Sequence, residues 1–302
     1  MIKSFQKNSF YIPAMLFLFI ALTGCSRDAS STLNAELSQS KRIISAAPSN
    51  TDIIIGLGMG DRLIAIDTYS KDIEGVPLGL PLIDFFYPDT EAVINLEPDL
   101  ILVNEINSFG VADNPFRLLG NLGIRVVEVP TSVSIEGIYS DILFIAQTLG
   151  ITERGEELVK TMREQIAGIA SLAQNLRQKK SVYFEISSVP YIVSFGRGAY
   201  LNEMIEIAGG INIFNDQTGW FSPSVEEIIS RNPDIIFTLI YPGDDPIAEI
   251  KTRRTFESIT AIRHNQIYII DTDSASRPSH NILKALEEMA EAINQADNEA
   301  AH

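Results

Sequence analysis

The stretch that decides the fold is FFYPDTEAVINLEPDLI at residues 85–101, because the chain repeats its pattern in WFSPSVEEIISRNPDII at residues 220–236. Both copies begin with an aromatic pair and place a proline three positions after its first ring. A glutamate follows three positions later, and a Pro-Asp pair leads into an apolar run. The repeat indicates a chain made of two halves of similar construction.

Each copy is typical of a short helix, a stop and a strand. Asp89 or Ser224 can cap the helix, and a proline at position 98 or 233 prevents the helix from continuing into the apolar run. Ser224 and Glu227 already have the spacing of a capping box. The glutamate that both copies share, Glu91 or Glu226, is therefore available for another role.

Short apolar runs alternate with helical segments on both sides of the chain's midpoint. These runs are too uniformly apolar for a sheet with one solvent-exposed face, and they favour strands covered by helices on both sides. We predict an α/β fold with two lobes, each with a mostly parallel sheet flanked by helices. The predicted strands are 43–47, 63–67, 100–104 and 126–129 in the first lobe, and 181–187, 191–195, 235–240 and 267–271 in the second.

One long amphipathic helix is predicted between the lobes. From Thr152 to Lys179 there is no proline, and apolar residues from Leu158 to Leu176 recur at spacings of three and four. At 1.5 Å per residue such a helix is roughly 40 Å long and would limit how far the lobes hinge. The alternative is a helix packed wholly inside one lobe.

The N-terminus is typical of an exported protein. Lys3 and Lys7 precede an apolar run from Phe10 to Leu22 that is too short to span a bilayer. LTGC, ending at Cys25, resembles the bacterial lipobox, in which that cysteine is lipidated; an ordinary signal with a chance cysteine is the alternative. We divide the chain into a signal (1–24), a flexible tether (25–41), the first lobe (42–150), the connecting helix (151–180), the second lobe (181–295) and a tail (296–302).

Charge excludes some partners. The whole chain has a net charge of −16, and without the two signal lysines 21 basic residues face 39 acidic ones, a net charge of −18. Such a balance disfavours nucleic acid and anionic lipid surfaces as partners. Membrane contact is therefore expected only through the lipid anchor.

Several segments in this order resemble a known family. The lipobox, RIISAAPSNTDIIIGLG at 42–58, the two repeats, the long helix, GGINIF at 209–214 and RPSHNILKALEEMA at 277–290 are together similar to class III solute-binding proteins of ABC importers. Members of that family carry vitamin B12, ferric siderophores or haem in a cleft between two lobes. The resemblance implies that Glu91 and Glu226 dock into arginine pockets of a permease dimer, which works with ATPase subunits.

Aromatic residues dominate the predicted ligand site. Two aromatic pairs precede the repeat helices, in loops at the ends of strands, where α/β sheets bind ligands. Facing each other across a cleft, they can stack on a large flat molecule. The pairs are Phe85 with Phe86 and Trp220 with Phe221. The resemblance adds Tyr69 and Tyr191 and favours a corrinoid similar to vitamin B12. Arg277 is the best basic candidate near the cleft, and a salt bridge to Asp271 or Asp273 is its alternative role. Ferric siderophores and haem carboxylates usually call for more than one basic group, so they are the runner-up ligands. Glu105 and Asn107 are candidate acceptors for ligand amides, although B12 binders more often have an aromatic residue there.

Other functions fit the sequence less well. With histidine only at positions 264, 280 and 302, a bare metal ion is not expected, and no cofactor is predicted. The chain is not expected to be an enzyme. The alternatives are a surface-anchored hydrolase that uses Asp84 and Glu105 as acid and base, and a module that presents ligand to a sensor.

Overall fold

The first lobe contains a five-stranded parallel sheet. A computed structural model describes residues 41–104, 115–239 and 245–299, so that the predicted signal, Cys25 and Glu105 lie outside the described residues. The sheet order is β3-β2-β1-β4-β5. The elements are β1 (Ile43–Ser45), α1 (Pro48–Gly56), β2 (Leu63–Asp67), β3 (Leu82–Ile83), α2 (Thr90–Asn95), β4 (Leu100–Asn104), α3 (Pro115–Asn121), β5 (Arg125–Val129) and α4 (Ile135–Thr148), followed by the connecting helix α5 (Thr152–Ala173).

The second lobe repeats this plan with a four-stranded parallel sheet of order β11-β10-β6-β8. A separate antiparallel pair, β7 with β9, lies beside it. The elements are β6 (Ser181–Glu185), β7 (Ser194–Phe195), α6 (Tyr200–Ile207), β8 (Ile211–Asn212), β9 (Trp220–Phe221), α7 (Val225–Arg231), β10 (Ile235–Leu239), α8 (Pro246–Thr252), α9 (Thr260–Arg263), β11 (Ile267–Ile270), α10 (Thr272–Ser276) and α11 (Ile282–Glu299).

The burial of the central strands explains their uniform apolar sequences. All five residues of β10 are buried, as are the first four of β4. A strand in the middle of a parallel sheet is covered on both faces by helices, so every side chain along it avoids water. The predicted fold class is confirmed: two mostly parallel sheets flanked by helices, joined by a long helix.

The connecting helix packs against both lobes. It contacts α4 on the first lobe, and α6 and α11 on the second. One hydrophobic cluster continues through both lobes and includes Ile138, Met162 and Met289. The connecting helix is therefore not packed wholly inside one lobe.

The connecting helix ends earlier than predicted. It stops at Ala173, which makes it about 33 Å long. The carboxylate of Asp297 accepts hydrogen bonds from the backbone N–H groups of Arg177 and Gln178, at 2.9 and 3.3 Å, and this holds the chain in a turn. Leu176 remains packed against the hydrophobic cluster from that turn, which is why the apolar period suggested a longer helix.

Several other boundaries differ from the predictions: β1 ends at Ser45 and β6 at Glu185, each two residues early. The run 191–195 forms a strand only at Ser194 and Phe195, outside the main sheet. The final helix continues to Glu299, into the predicted tail. Within the described part of the chain, no helix combines the length and the apolar character needed to cross a bilayer.

Candidate functional site

A cleft of about 350 Å³ lies between the two lobes. It opens where parallel strands of both sheets end, the position at which α/β sheets bind ligands. The first lobe lines it with residues 48–50, 53, 104, 130–133 and 141, and the second with residues 186, 199–201, 220 and 275–278.

Trp220 lines the cleft, as predicted from the repeat. Its side chain is 50 % exposed, although the residue belongs to β9. Trp220 pairs with Phe195 of β7, and the two ring centroids lie 5.5 Å apart in an edge-to-face arrangement. One edge of the indole is thus fixed by the protein while the other remains available in the cleft.

Arg277 also lines the cleft, but its charge is paired. Its guanidinium lies 2.8 Å from the carboxylate of Asp273, one of the two predicted salt-bridge partners. The other, Asp271, is bound instead by Lys284 at 2.6 Å. Arg277 also lies 3.5 Å from the backbone carbonyl of Tyr69, so it links the two lobes beside the cleft.

Three aromatic rings predicted in the first lobe form a row near the mouth of the cleft. The rings of Tyr69 and Phe85 are 5.9 Å apart, and those of Phe85 and Phe86 are 4.2 Å apart. Tyr69 is 63 % exposed and Phe86 about half exposed, whereas Phe85 packs partly against the core. The row lies outside the enclosed part of the cleft, and the contact of Tyr69 with Arg277 places one end of it at the rim.

Tyr191 stands on a supported turn of the second lobe. Its ring is 81 % exposed, and its carbonyl accepts a hydrogen bond from Ser187 at 2.6 Å. Ser188, in the same turn, accepts from Arg253 at 2.9 Å and donates to Glu249 at 3.0 Å. Ser188 thus connects the turn to the buried ion pair of Arg253 and Glu185, and this contact holds the backbone that carries Tyr191 in place.

Phe221 is not in the cleft wall. Neighbouring residues of a strand point to opposite faces, and Phe221 faces the lobe interior while Trp220 faces the cleft. Its ring packs edge-to-face on Phe214 at 5.1 Å and joins the core cluster of the second lobe. Phe221 is partly buried and packs against that core cluster, so ligand contact by Phe221 stays a prediction. Glu105 and Asn107 lie outside the described residues.

The cleft also contains polar residues that were not predicted. Asn50 and Thr131 line it, and so does Asp141, whose carboxylate accepts a hydrogen bond from Ser132. Burial raises the pKa of Asp141 to about 6, although the bond from Ser132 lowers it. Asn50 lies in the first turn of α1, the helix that follows the carboxyl end of β1, and this position was the signal that could have identified it.

A buried hydroxyl chain fixes the start of α1, which carries Asn50. Ser70 donates its one hydroxyl hydrogen to Asp67, and the hydroxyl oxygen of Thr51 lies 3.0 Å from that of Ser70 and 2.8 Å from that of Ser45. Burial raises the pKa of Asp67, whereas its hydrogen bonds lower it. These contacts join β1, α1 and the end of β2 beneath the cleft.

Glu91 and Glu226 occupy equivalent positions in the two lobes. Each lies in the first turn of its helix and is exposed to solvent. The caps are other residues: Asp89 accepts from the backbone of Ala92 at 3.0 Å, and Ser224 forms a capping box with Glu227. The shared glutamates are thus not needed to start their helices.

Asp84 has a structural role. Its carboxylate accepts from the backbone N–H groups of Phe86 at 2.9 Å and Tyr87 at 3.1 Å, which shapes the aromatic loop. Within the described ranges there is also no cluster of histidine, cysteine and carboxylate residues able to hold a metal ion.

Three comparisons place the chain among known proteins. It is 32 % identical to "Uncharacterized ABC transporter substrate-binding lipoprotein YvrC" of Bacillus subtilis, over 84 % of this chain and 80 % of that protein. It is 29 % identical to "Vitamin B12-binding protein" of Vibrio campbellii, over 83 % and 88 %. A solved structure of "a possible an iron-binding (periplasmic solute-binding) protein" from Staphylococcus epidermidis superposes with a TM-score of 0.75, at 32 % identity, over 84 % of this chain and 98 % of that one.

The family follows from a sequence profile. The profile described as "Periplasmic binding protein" matches residues 43–274, which include both sheets and the connecting helix. This is a family of solute-binding proteins and not of enzymes, so the hydrolase alternative is not supported. The chain belongs to the periplasmic binding protein family.

Proposed function

We propose that this protein captures a corrinoid between its two lobes and delivers it to an ABC importer. The observation that supports the proposal best is the half-exposed indole of Trp220 in the wall of a cleft that both lobes line. An aromatic face held in this way suits a large flat ligand. The enclosed cleft is smaller than a corrin with its side chains, so the macrocycle would lie across the mouth, toward Tyr69, Phe86 and Tyr191.

Charge favours a corrinoid over an anionic ligand. The cleft wall carries Arg277, whose charge is neutralised by Asp273, and it also carries the acidic Asp141. The amide side chains of a corrin carry no net negative charge, whereas haem carboxylates and many siderophores call for unpaired basic groups. The similarity to a protein named for vitamin B12 supports the same choice. A ferric siderophore is the second candidate, because the similar solved structure is titled as possibly iron-binding.

A ligand titration tests this proposal. Trp220 is the only tryptophan of the chain, so its fluorescence reports directly on the cleft. We expect saturable quenching by cyanocobalamin at one ligand per protein, and little change with haemin or ferric siderophores. Trp220→Ala, followed by calorimetry, should weaken binding by about 1 to 3 kcal/mol, the value of a lost stacking partner. Leu172→Ala, on the exposed side of α5, is the control. An unchanged affinity in Trp220→Ala would remove the indole from the site.

We further propose that Glu91 and Glu226 dock the protein onto the two subunits of a permease. Two exposed carboxylates at equivalent positions suit a partner with two-fold symmetry. Replacing both with alanine should abolish uptake and leave ligand affinity unchanged. The matched control replaces Glu156 and Glu164, which are exposed on α5. Normal uptake by the Glu91/Glu226 variant would refute the docking role.

Export and anchoring complete the proposal. We propose that the chain is exported, cleaved before Cys25 and held to the outer face of a membrane by lipid on that cysteine. The relative named a lipoprotein supports this. Cys25→Ser should release the protein from the membrane fraction, whereas a variant that remains bound would argue against the anchor.

A further inference from the structure

We infer that the inner end of the cleft contains a subsite for a neutral carbonyl oxygen of the ligand, formed by Asn50, Thr131 and the N-terminus of α1. This inference rests on the proposed function, because the carbonyl oxygen in the subsite belongs to the ligand that the cleft carries. It adds a recognition element of different chemistry from the aromatic rings at the mouth.

The first observation is an unsatisfied donor. Asn50 is 1 % exposed, yet it lines the cleft, so its side chain is directed toward whatever enters there. Within the described part of the chain, its Nδ2 has no hydrogen-bond partner. A buried amide N–H without a partner loses its hydrogen bond to water and gains none in return, and an acceptor supplied by a ligand would restore that bond.

The second observation is a hydroxyl in the same situation. The Oγ1 of Thr131 also lines the cleft and has no hydrogen-bond partner among the described residues. Thr131 follows β5, whereas Asn50 lies in the first turn of α1, so the two groups come from separate segments and line one cavity. A hydroxyl can donate or accept, and beside an amide N–H it can donate to the same oxygen.

The third observation is the start of α1, a nine-residue helix. No side chain caps it, and its first residue, Pro48, has no backbone N–H. The backbone N–H groups of Ser49 and Asn50 lie in the first turn and have no acceptor within the helix. Pro48 and Ser49 line the cleft together with Asn50, so the positive end of the helix is directed at the same space.

The charges around the cleft select a neutral acceptor. Asp141 lines the cleft. The single arginine of the described lining is already bound to Asp273. A carboxylate placed here would be repelled by the carboxyl group of Asp141, with no free cation in the described lining to offset the repulsion. A carboxamide or hydroxamate oxygen accepts the same hydrogen bonds without that repulsion.

The test uses two small probes of nearly equal shape. Crystals of the ligand-free protein are soaked with acetamide or with sodium acetate at neutral pH. We expect the acetamide oxygen within hydrogen-bond distance of Asn50 Nδ2 and no acetate there. Acetate at this position, an ordered water in place of either probe, or acetamide bound only elsewhere would each overturn the inference.

A second measurement separates this inference from the proposed function. Asn50→Leu and the isosteric Thr131→Val should each weaken cyanocobalamin binding by about 5- to 20-fold, the effect of one lost hydrogen bond. Asn298→Leu, on the exposed face of α11, is the control. If the native protein binds acetamide at Asn50 but not cyanocobalamin, the corrinoid proposal fails and the subsite stands. If it binds cyanocobalamin and both variants bind equally well, the subsite fails and the corrinoid proposal stands. If Asn50→Leu does not fold, the affinity of Thr131→Val for cyanocobalamin alone tests the subsite.

Discussion

The ion pair of Arg253 and Glu185, beneath the turn that carries Tyr191, allows a sharp test of the second lobe's energetics. Arg253 is 8 % exposed and Glu185 1 % exposed. Arg253 donates two hydrogen bonds to Glu185, at 2.7 and 2.8 Å, and Tyr183 donates a third at 3.1 Å. Arg253→Met would leave the Glu185 carboxylate buried with the tyrosine hydroxyl as its remaining donor among these.

The expected loss follows from that geometry. Removing one partner of a buried ion pair costs about 3 to 5 kcal/mol, because the other charge remains without compensation. Replacing both Glu185 and Arg253 with methionine should recover much of this loss, since no buried charge then remains. Arg163→Met is the control: its bond to Glu136 at 2.7 Å is exposed and worth about 1 kcal/mol or less.

Urea unfolding, followed by circular dichroism, measures these differences. The reasoning is refuted if Arg253→Met is no less stable than Arg163→Met, or if the double variant is as unstable as the single one.

Three further predictions concern other parts of the fold. Burial raises the pKa of Asp52 from 3.8 to about 6, so the folded state holds this proton more tightly than the unfolded state and stability falls as the pH rises between these values. The free energy of unfolding of Asp52→Asn, relative to that of the native protein, should therefore rise by about 2 to 3 kcal/mol from about pH 4 to about pH 7. A pH-independent difference in urea titrations would contradict this. Gly209→Ala should lower the free energy of unfolding by about 1 to 3 kcal/mol, because φ is 92° and a Cβ would lie 2.4 Å from Leu176. An unchanged melting temperature would show that the site can relax. Ser224→Ala removes the capping box and should cost about 1 kcal/mol in urea unfolding, whereas no loss would mean that α7 begins without it.

The sequence was sufficient to predict most strands of both sheets and the caps of α2 and α7, but not the edge strands β3 and β8. Uniform apolar runs such as residues 100–103 can only be buried strands or buried helix, and the proline after each short helix decided for strands. Asp89 and Ser224 cap their helices as predicted, because capping depends on residues three positions apart. Local rules therefore recovered most of the architecture.

Features that depend on distant contacts were predicted less well. The end of α5 is set by Asp297, which is more than a hundred residues away in the chain. Trp220 and Phe221 were treated as one loop, but they form a strand in which Trp220 lines the cleft and Phe221 packs against the core, so ligand contact by Phe221 stays a prediction. Asn50 alone had a local signal, whereas its pairing with Thr131 depends on two segments that are distant in sequence and line one cleft.

A crystal structure of the protein with cyanocobalamin would decide whether the cleft carries a corrinoid. We predict one corrin between the lobes, with a face against Trp220 and its edge toward the row of Tyr69 and Phe86. A corrin bound outside the cleft, or an indole without ligand contact in a cleft that remains empty, would contradict it.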